Sequence, residues 1–217
     1  MNVQIIFLNY HRKEFAERVK ANNLKNAGYP FSIIEVDKKG ISAAFNYGLQ
    51  MSKEFDAVVF MANDILMPDN WLFRMVEAAK AIPNTGTVGI HCVEGISEKQ
   101  ETINGVNIRR TYTAFGNVLH PMNAVRQIGY YNPDYDPYGM QDADYAYRLN
   151  NSGYINYYLD GLKAEHIGHD VGNGTEYRKM KDEGLAAAGE KWAKWTKHYE
   201  ETKNYTIDLK DWPDAQD

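Results

Sequence analysis

Ala57-Val58-Val59-Phe60-Met61-Ala62-Asn63-Asp64 is an apolar run that ends in a polar pair. A short apolar run with β-branched and aromatic residues, closed by turn formers, predicts a buried strand over Asp56–Met61. Working outward, the same punctuation repeats. Val3–Leu8 and Phe31–Val36 predict strands before it, and Thr87–Cys92 predicts one after it. Between them lie stretches of helical spacing: Lys13–Ala27, stopped at Gly28, then Ile41–Lys53, then Trp71–Ala81, stopped near Pro83. Strands alternating with helices imply an α/β fold with a mostly parallel central sheet, flanked by helices and joined by right-handed crossovers. Ligands of such sheets bind beyond the carboxyl ends of the strands, where Asn63 and Asp64 stand.

The rest of the chain is less regular. The polar segment Glu94–Thr113, with Gly95 and Gly105, reads as a hairpin or a mobile loop. Ala114–Leu119 predicts a strand, Asn123–Ile128 a helix, Asp142–Asn151 a helix ended by Gly153, and Tyr154–Leu159 a strand. The last forty or so residues are charged and helical in pattern, with an acidic tail from Asp208 expected to fray. This divides the chain into a domain over 1–175, of which 1–92 and 93–175 are the two halves, and a helical extension over 176–217.

Composition narrows the function. The chain has 217 residues, 44% of them hydrophobic, so one domain can fill a core without disulfides. The single Cys92 forms no intrachain bridge. No apolar run approaches the ~20 residues of a membrane helix, and the first residues lack the basic start of a signal peptide. The expected setting is the cytoplasm, in solution or at a membrane surface. A net charge of −5 argues against non-specific nucleic-acid binding.

Four constellations can carry chemistry. Asn63 and Asp64 precede Pro68-Asp69-Asn70-Trp71. A carboxylate there can hold a divalent cation against a diphosphate, although an ordinary strand-to-helix turn also favours Asn and Asp. Tyr138-Gly139-Met140-Gln141-Asp142-Ala143-Asp144 places two acids at a helix start. They suit a general base with a positioning neighbour, and equally a cap favoured by the helix dipole. His166 and His169 sit in a Gly-containing loop, where they suit a metal or are merely exposed. Ile41-Ser42-Ala43-Ala44-Phe45-Asn46-Tyr47-Gly48 puts small residues at a helix start, open to a ligand or to close packing, and matches no dinucleotide or P-loop motif.

The order of these elements is more informative than any one of them. Phe115-Gly116-Asn117-Val118-Leu119-His120-Pro121, then Ile128-Gly129-Tyr130-Tyr131-Asn132-Pro133, then Tyr138 through Leu149 and Gly153-Tyr154 resemble glycosyltransferase family 2 and its relatives with the A-type nucleotide-diphospho-sugar transferase fold. The resemblance runs from about Val3 to His169. It implies a hexosyl- or pentosyltransferase that uses a nucleotide-diphospho-sugar donor and a divalent cation, Mn²⁺ or Mg²⁺. By position, it implies nucleotide-sugar contacts at Asn9, Tyr10, Asp37, Asn46, Asn63 and Asp64, and acceptor-side roles for Gly116 and Asn117. It implies a metal on Asp64 with His166, or alternatively His169. Asp142 becomes the catalytic base, with Gln141, Asp144 and Arg148 in support, and inversion by direct displacement is the expected outcome. The acceptor stays open among a glycan, a lipid-linked sugar, a protein, a small molecule and a modified nucleic-acid base.

Three departures qualify the resemblance. Ala62 replaces the first acid of the metal motif, leaving Asp64 alone. Gln141 replaces the usual Glu before the base. Lys38-Lys39-Gly40-Ile41 replaces a Ser/Asp-rich turn, which leaves the nucleotide open. A nucleotidyltransferase of the same fold and a non-catalytic carbohydrate-binding protein are the competing readings. The first is weakened because Asn9-Tyr10-His11-Arg12-Lys13 lacks glycine.

Overall fold

The computed structural model describes residues 1–10, 13–92, 99–168 and 175–211. In chain order the elements are β1 (Val3–Leu8), α1 (Lys13–Lys25), β2 (Ser32–Val36), α2 (Ile41–Met51), β3 (Ala57–Ala62), β4 (Ile65–Leu66), α3 (Trp71–Ala81) and β5 (Thr85–His91). There follow β6 (Lys99–Ile103), β7 (Val106–Thr111), β8 (Val118–Pro121), α4 (Met122–Ile128), α5 (Gln141–Asn151), β9 (Ile155–Lys163), β10 (Glu165–His166) and α6 (Glu176–Thr202). Eight strands form one sheet in the order β2-β1-β3-β8-β5-β9-β7-β6, and β4 pairs with β10 in a small separate ribbon.

The α/β class, the flanked central sheet and the C-terminal helix are as the sequence implies. The pairing within the sheet is mixed. β1 is parallel to β2 and β3, and β5 is parallel to β9. β8 runs antiparallel to both β3 and β5, and β7 runs antiparallel to β9. The cause is the segment after β5. It forms the hairpin β6–β7, turned by Asn104 and Gly105 with φ of 50° and 80°, which sends the chain back across the sheet.

Side-chain alternation along the strands builds two apolar layers. Ile5, Phe7, Val59 and Met61 face one way, onto Ala16 and Val19 of α1 and Trp71, Leu72, Met75 and Val76 of α3. Ile6, Val58 and Phe60 face the other way, onto α2, α4 and α5 through Phe45, Leu49, Val125, Ile128, Tyr145 and Leu149. The carboxyl ends of β1, β2 and β3 are left as the floor of a cleft. No described helix is long and apolar enough to cross a membrane.

Two expectations need correction. The strand predicted at Ala114–Leu119 starts only at Val118. Gly116 has φ of 84°, outside the extended region, and the Phe115 N–H turns aside to the Tyr158 hydroxyl at 2.7 Å. The tail is ordered further than expected. Ile207 exchanges backbone hydrogen bonds with Ile128 and Tyr130, and Leu209 is buried. Residues 212–217 lie outside the described part.

Candidate functional site

The cleft encloses about 380 Å³. Leu8, Val36 and Ala62 close its floor at the ends of β1, β2 and β3, and Tyr10 and Lys38 flank it. Asn63, Asp64 and His166 form one end, and Tyr138, Gln141 and Asp142 form another wall. Residues far apart in the chain therefore meet where an α/β sheet binds its ligands.

Asp64 and His166 come together through backbone pairing. Asp64 occupies the turn between β3 and β4, and the antiparallel β4–β10 ribbon sets His166 opposite Ile65. The Ile167 N–H also donates to the Asp64 carbonyl at 3.0 Å. His166 Nε2 lies 3.2 Å from Asp64 Oδ2, with both side chains partly exposed to the cleft. A carboxylate oxygen and an imidazole nitrogen at this separation suit a borderline-hard divalent cation. Among the described residues no group of three or more His, Cys, Asp or Glu surrounds such a point. Cations of this kind commonly complete their coordination with water and with phosphate oxygens of a substrate. His169 lies outside the described residues.

Asp142 is the second residue of α5 and half-buried. It also borders a smaller cavity of about 60 Å³, walled by Phe45, Phe60, Tyr131, Tyr145 and His120. Phe45 stacks on Phe60 at 4.1 Å and Tyr131 on Tyr145 at 4.2 Å, so the carboxyl sits against aromatic faces. This burial pushes its pKa up from 3.8 to about 7. A carboxyl poised near neutrality is suited to accept a proton. Beside it His120 is buried, with its Nε2 2.8 Å from the Tyr131 hydroxyl. Burial pulls its pKa down to about 4, so the imidazole is neutral at pH 7.

The neighbours of Asp142 have other tasks. Gln141 is buried, and its Oε1 accepts the Gly139 N–H at 2.9 Å, which folds the loop into the helix. Asp144 and Arg148 form a fully buried ion pair at 2.9 Å. Arg148 also donates to the carbonyls of Ile128 and Tyr130, and Tyr199 of α6 donates to Asp144 at 2.9 Å. Burial pushes the Asp144 carboxyl up, and the Arg148 guanidinium opposes it.

Three residues expected at the nucleotide engage other side chains or backbone of the protein. Asn46 is buried, and its amide exchanges hydrogen bonds with the Tyr131 backbone at 2.9 and 2.8 Å. Asp37 pairs with Lys13 on the surface. Asn9 donates to Glu35 and accepts from Asn63 at 3.1 Å, so it braces Asn63, which does line the cleft. Gly116 borders both cavities. Asn117 is buried, and its Oδ1 accepts the Ala62 N–H at 2.7 Å.

Sequence reasoning passed over Asp136. Its carboxylate accepts the Ser42 and Ala43 N–H groups at 2.8 and 2.9 Å, closing the start of α2 beside the cleft. Its position next to Pro137, two residues after Asp134, held no pattern that pointed there. Arg178, Met180 and Lys181 of α6 also reach the cleft.

Comparison with known proteins places this arrangement. No curated protein sequence matches the chain significantly. Among solved structures it is similar to GalNAc-T7 with UDP, GalNAc and Mn²⁺, at a TM-score of 0.60 and 11% identity over 77% of this chain. It spans only 44% of that protein. It is similar to the catalytic domain of Drosophila β1,4-galactosyltransferase 7 in complex with xylobiose, at 0.58 and 13% identity, covering 76% of this chain and 70% of that one. It is also similar to the mannosyltransferase PcManGT from Pyrobaculum calidifontis in complex with GDP-Man and Mn²⁺, at 0.57 and 15% identity, covering 79% and 58%. At these identities the likeness concerns the fold. The sequence profile described as glycosyl transferase family 2 matches residues 13–183, which take in α1 through the start of α6 and every cleft residue but Leu8 and Tyr10, and the chain belongs to that family.

Proposed function

We propose that the protein transfers a sugar from a nucleotide-diphospho-sugar to an acceptor hydroxyl, inverting the anomeric carbon by direct displacement. The observation that carries this reading is that Asp64, His166 and Asp142 line one cleft. One bound donor then spans the Asp64–His166 pair and the base. Tyr10 and Asn63 contact its nucleotide side, and Gly116 forms the acceptor side, braced by Asn117 through the Ala62 N–H. Structures of the same fold that contain UDP or GDP-Man together with Mn²⁺ support the donor class.

Asp142 takes the proton of the acceptor hydroxyl as that oxygen bonds to the anomeric carbon. The bond from that carbon to the diphosphate breaks, and the nucleoside diphosphate leaves with the electron pair. Asp64 and His166 would hold Mn²⁺ or Mg²⁺, which would supply positive charge to the diphosphate. Gln141 holds the loop that starts α5, and the Asp144–Arg148 pair orients the helix that carries the base.

The test is a panel of nucleotide sugars, with transfer and slow hydrolysis followed with and without Mn²⁺. One donor should be consumed, faster with the cation, and Asp64→Ala should remove the dependence on it. Metal-stimulated turnover that survives Asp64→Ala would discard the metal assignment. Failure to consume any nucleotide sugar, alongside retained glycan binding, would favour a non-catalytic lectin-like protein.

A further inference from the structure

Alanine at position 62 leaves the metal locus with one carboxylate, Asp64, and one imidazole, His166. The cleft itself is not short of positive charge. Among the described residues, Lys38, Arg178 and Lys181 line it, against Asp64 and Asp142 as carboxylates. This cationic lining belongs to a chain whose net charge is −5, so the surplus is local. We infer that Arg178 and Lys181 bind the diphosphate of the donor directly, and that nucleoside diphosphates therefore bind with useful affinity in the absence of metal. The inference rests on the donor-site reading above.

The placement of α6 supports this. Lys181 Nζ lies 5.2 Å from the centre of the Tyr138 ring, on the wall of the cleft. One turn further, a Cβ added at Gly184 would fall 2.0 Å from the Tyr138 carbonyl oxygen. Only glycine lets the helix approach this closely. The contact holds the preceding turn, with Arg178 and Lys181, over the cleft. Arg178 meets Asp182 at 3.0 Å in an exposed i,i+4 pair. Such pairs contribute little, so the guanidinium can turn to a phosphate, whose geometry it matches with two parallel N–H groups. Lys179, between the two, does not reach the cleft and pairs with Glu183 at 3.8 Å.

Titration of UDP, GDP and ADP into the full chain by calorimetry, in EDTA and in Mn²⁺, tests this. Wild type should bind at least one of them in EDTA, and R178Q/K181Q should weaken that binding about a hundredfold, roughly tenfold per cation. K179Q removes a charge from the same turn and should match wild type. D64N should lose the gain from Mn²⁺ and keep its affinity in EDTA. G184A should weaken binding in EDTA with its melting temperature measured alongside. Unchanged affinity of R178Q/K181Q in EDTA overturns the inference and leaves the donor reading intact, as does wild-type binding that requires Mn²⁺. No binding of any nucleoside diphosphate even with Mn²⁺ overturns both.

Discussion

Asp142 illustrates how much a single residue depends on distant neighbours. Its pKa of about 7 comes from burial against rings carried by α2, β3, α5 and the segment after α4. A carboxyl whose folded pKa lies above its ordinary 3.8 stabilises the fold only in its protonated form. That contribution is present below pH 4 and is lost as the pH rises through 7. Asp142→Asn should therefore leave stability unchanged at pH 4 and raise it by roughly 2 kcal/mol at pH 8, a value discounted for partial exposure. Urea unfolding at the two pH values measures this, and equal effects at both would reject the shift. The same group predicts a transfer rate that rises with unit slope to about pH 7 and then levels, and Asp142→Asn should abolish turnover while donor binding persists. The place of Asp142 in the first turn of α5 was legible, because its spacing to Arg148 and Gly153 follows the family's helix. Its basicity was not, since no local pattern reports which rings will pack against it. Asn46 shows the reverse. Its motif position suggested a nucleotide contact, and only the packing of α2 against Tyr131 shows its amide engaged inside the protein.

At the scale of elements, α5 is held by a buried network centred on the Arg148–Asp144 pair. Arg148 serves Asp144, Ile128 and Tyr130 at once, and Tyr199 completes the carboxylate from α6. Arg148→Ala strands a buried carboxylate and should cost about 3–5 kcal/mol. Tyr199→Phe removes one hydrogen bond to that carboxylate and should cost about 1.5–3 kcal/mol. Because both changes act on Asp144, the double variant should lose less than the sum of the two. Chemical denaturation of the three variants checks this, and strict additivity would show that Tyr199 acts elsewhere. The strands and helices of the first half were legible to within a few residues, since alternation and turn residues agree there. β8 was displaced because Gly116 and the Tyr158 hydroxyl override an apolar run. The antiparallel entry of β8 depends on a hairpin whose polar sequence also fits a loop.

At the scale of the molecule, α6 joins the two ends of the site. Its first turns reach the cleft, and its last turns pack Tyr199 onto α5 beside Tyr147. Its sequence announced a helix but not a destination, because aromatic residues at helical spacing fit any apolar surface. The segment after it returns along α4, where Ile207 bridges Gly129 and Leu209 is buried. If 176–217 were a separable extension, residues 1–175 would fold alone. The packing argues against separation. Ala188, Tyr199, Ile207 and Leu209 are buried, and the three larger side chains alone amount to roughly 4.5–9 kcal/mol at ~1.5–3 kcal/mol each. Asp144 would also lose its Tyr199 partner. Domains are stable by only about 5–15 kcal/mol in total. The fragment 1–175 should thus be aggregated or molten, with its thermal transition lowered by ~10 °C or more at ~2–4 °C per kcal/mol, and should fail to bind nucleoside diphosphates. A cooperative transition at the full-length midpoint would show that residues 1–175 carry their own stability and that α6 merely rests against them.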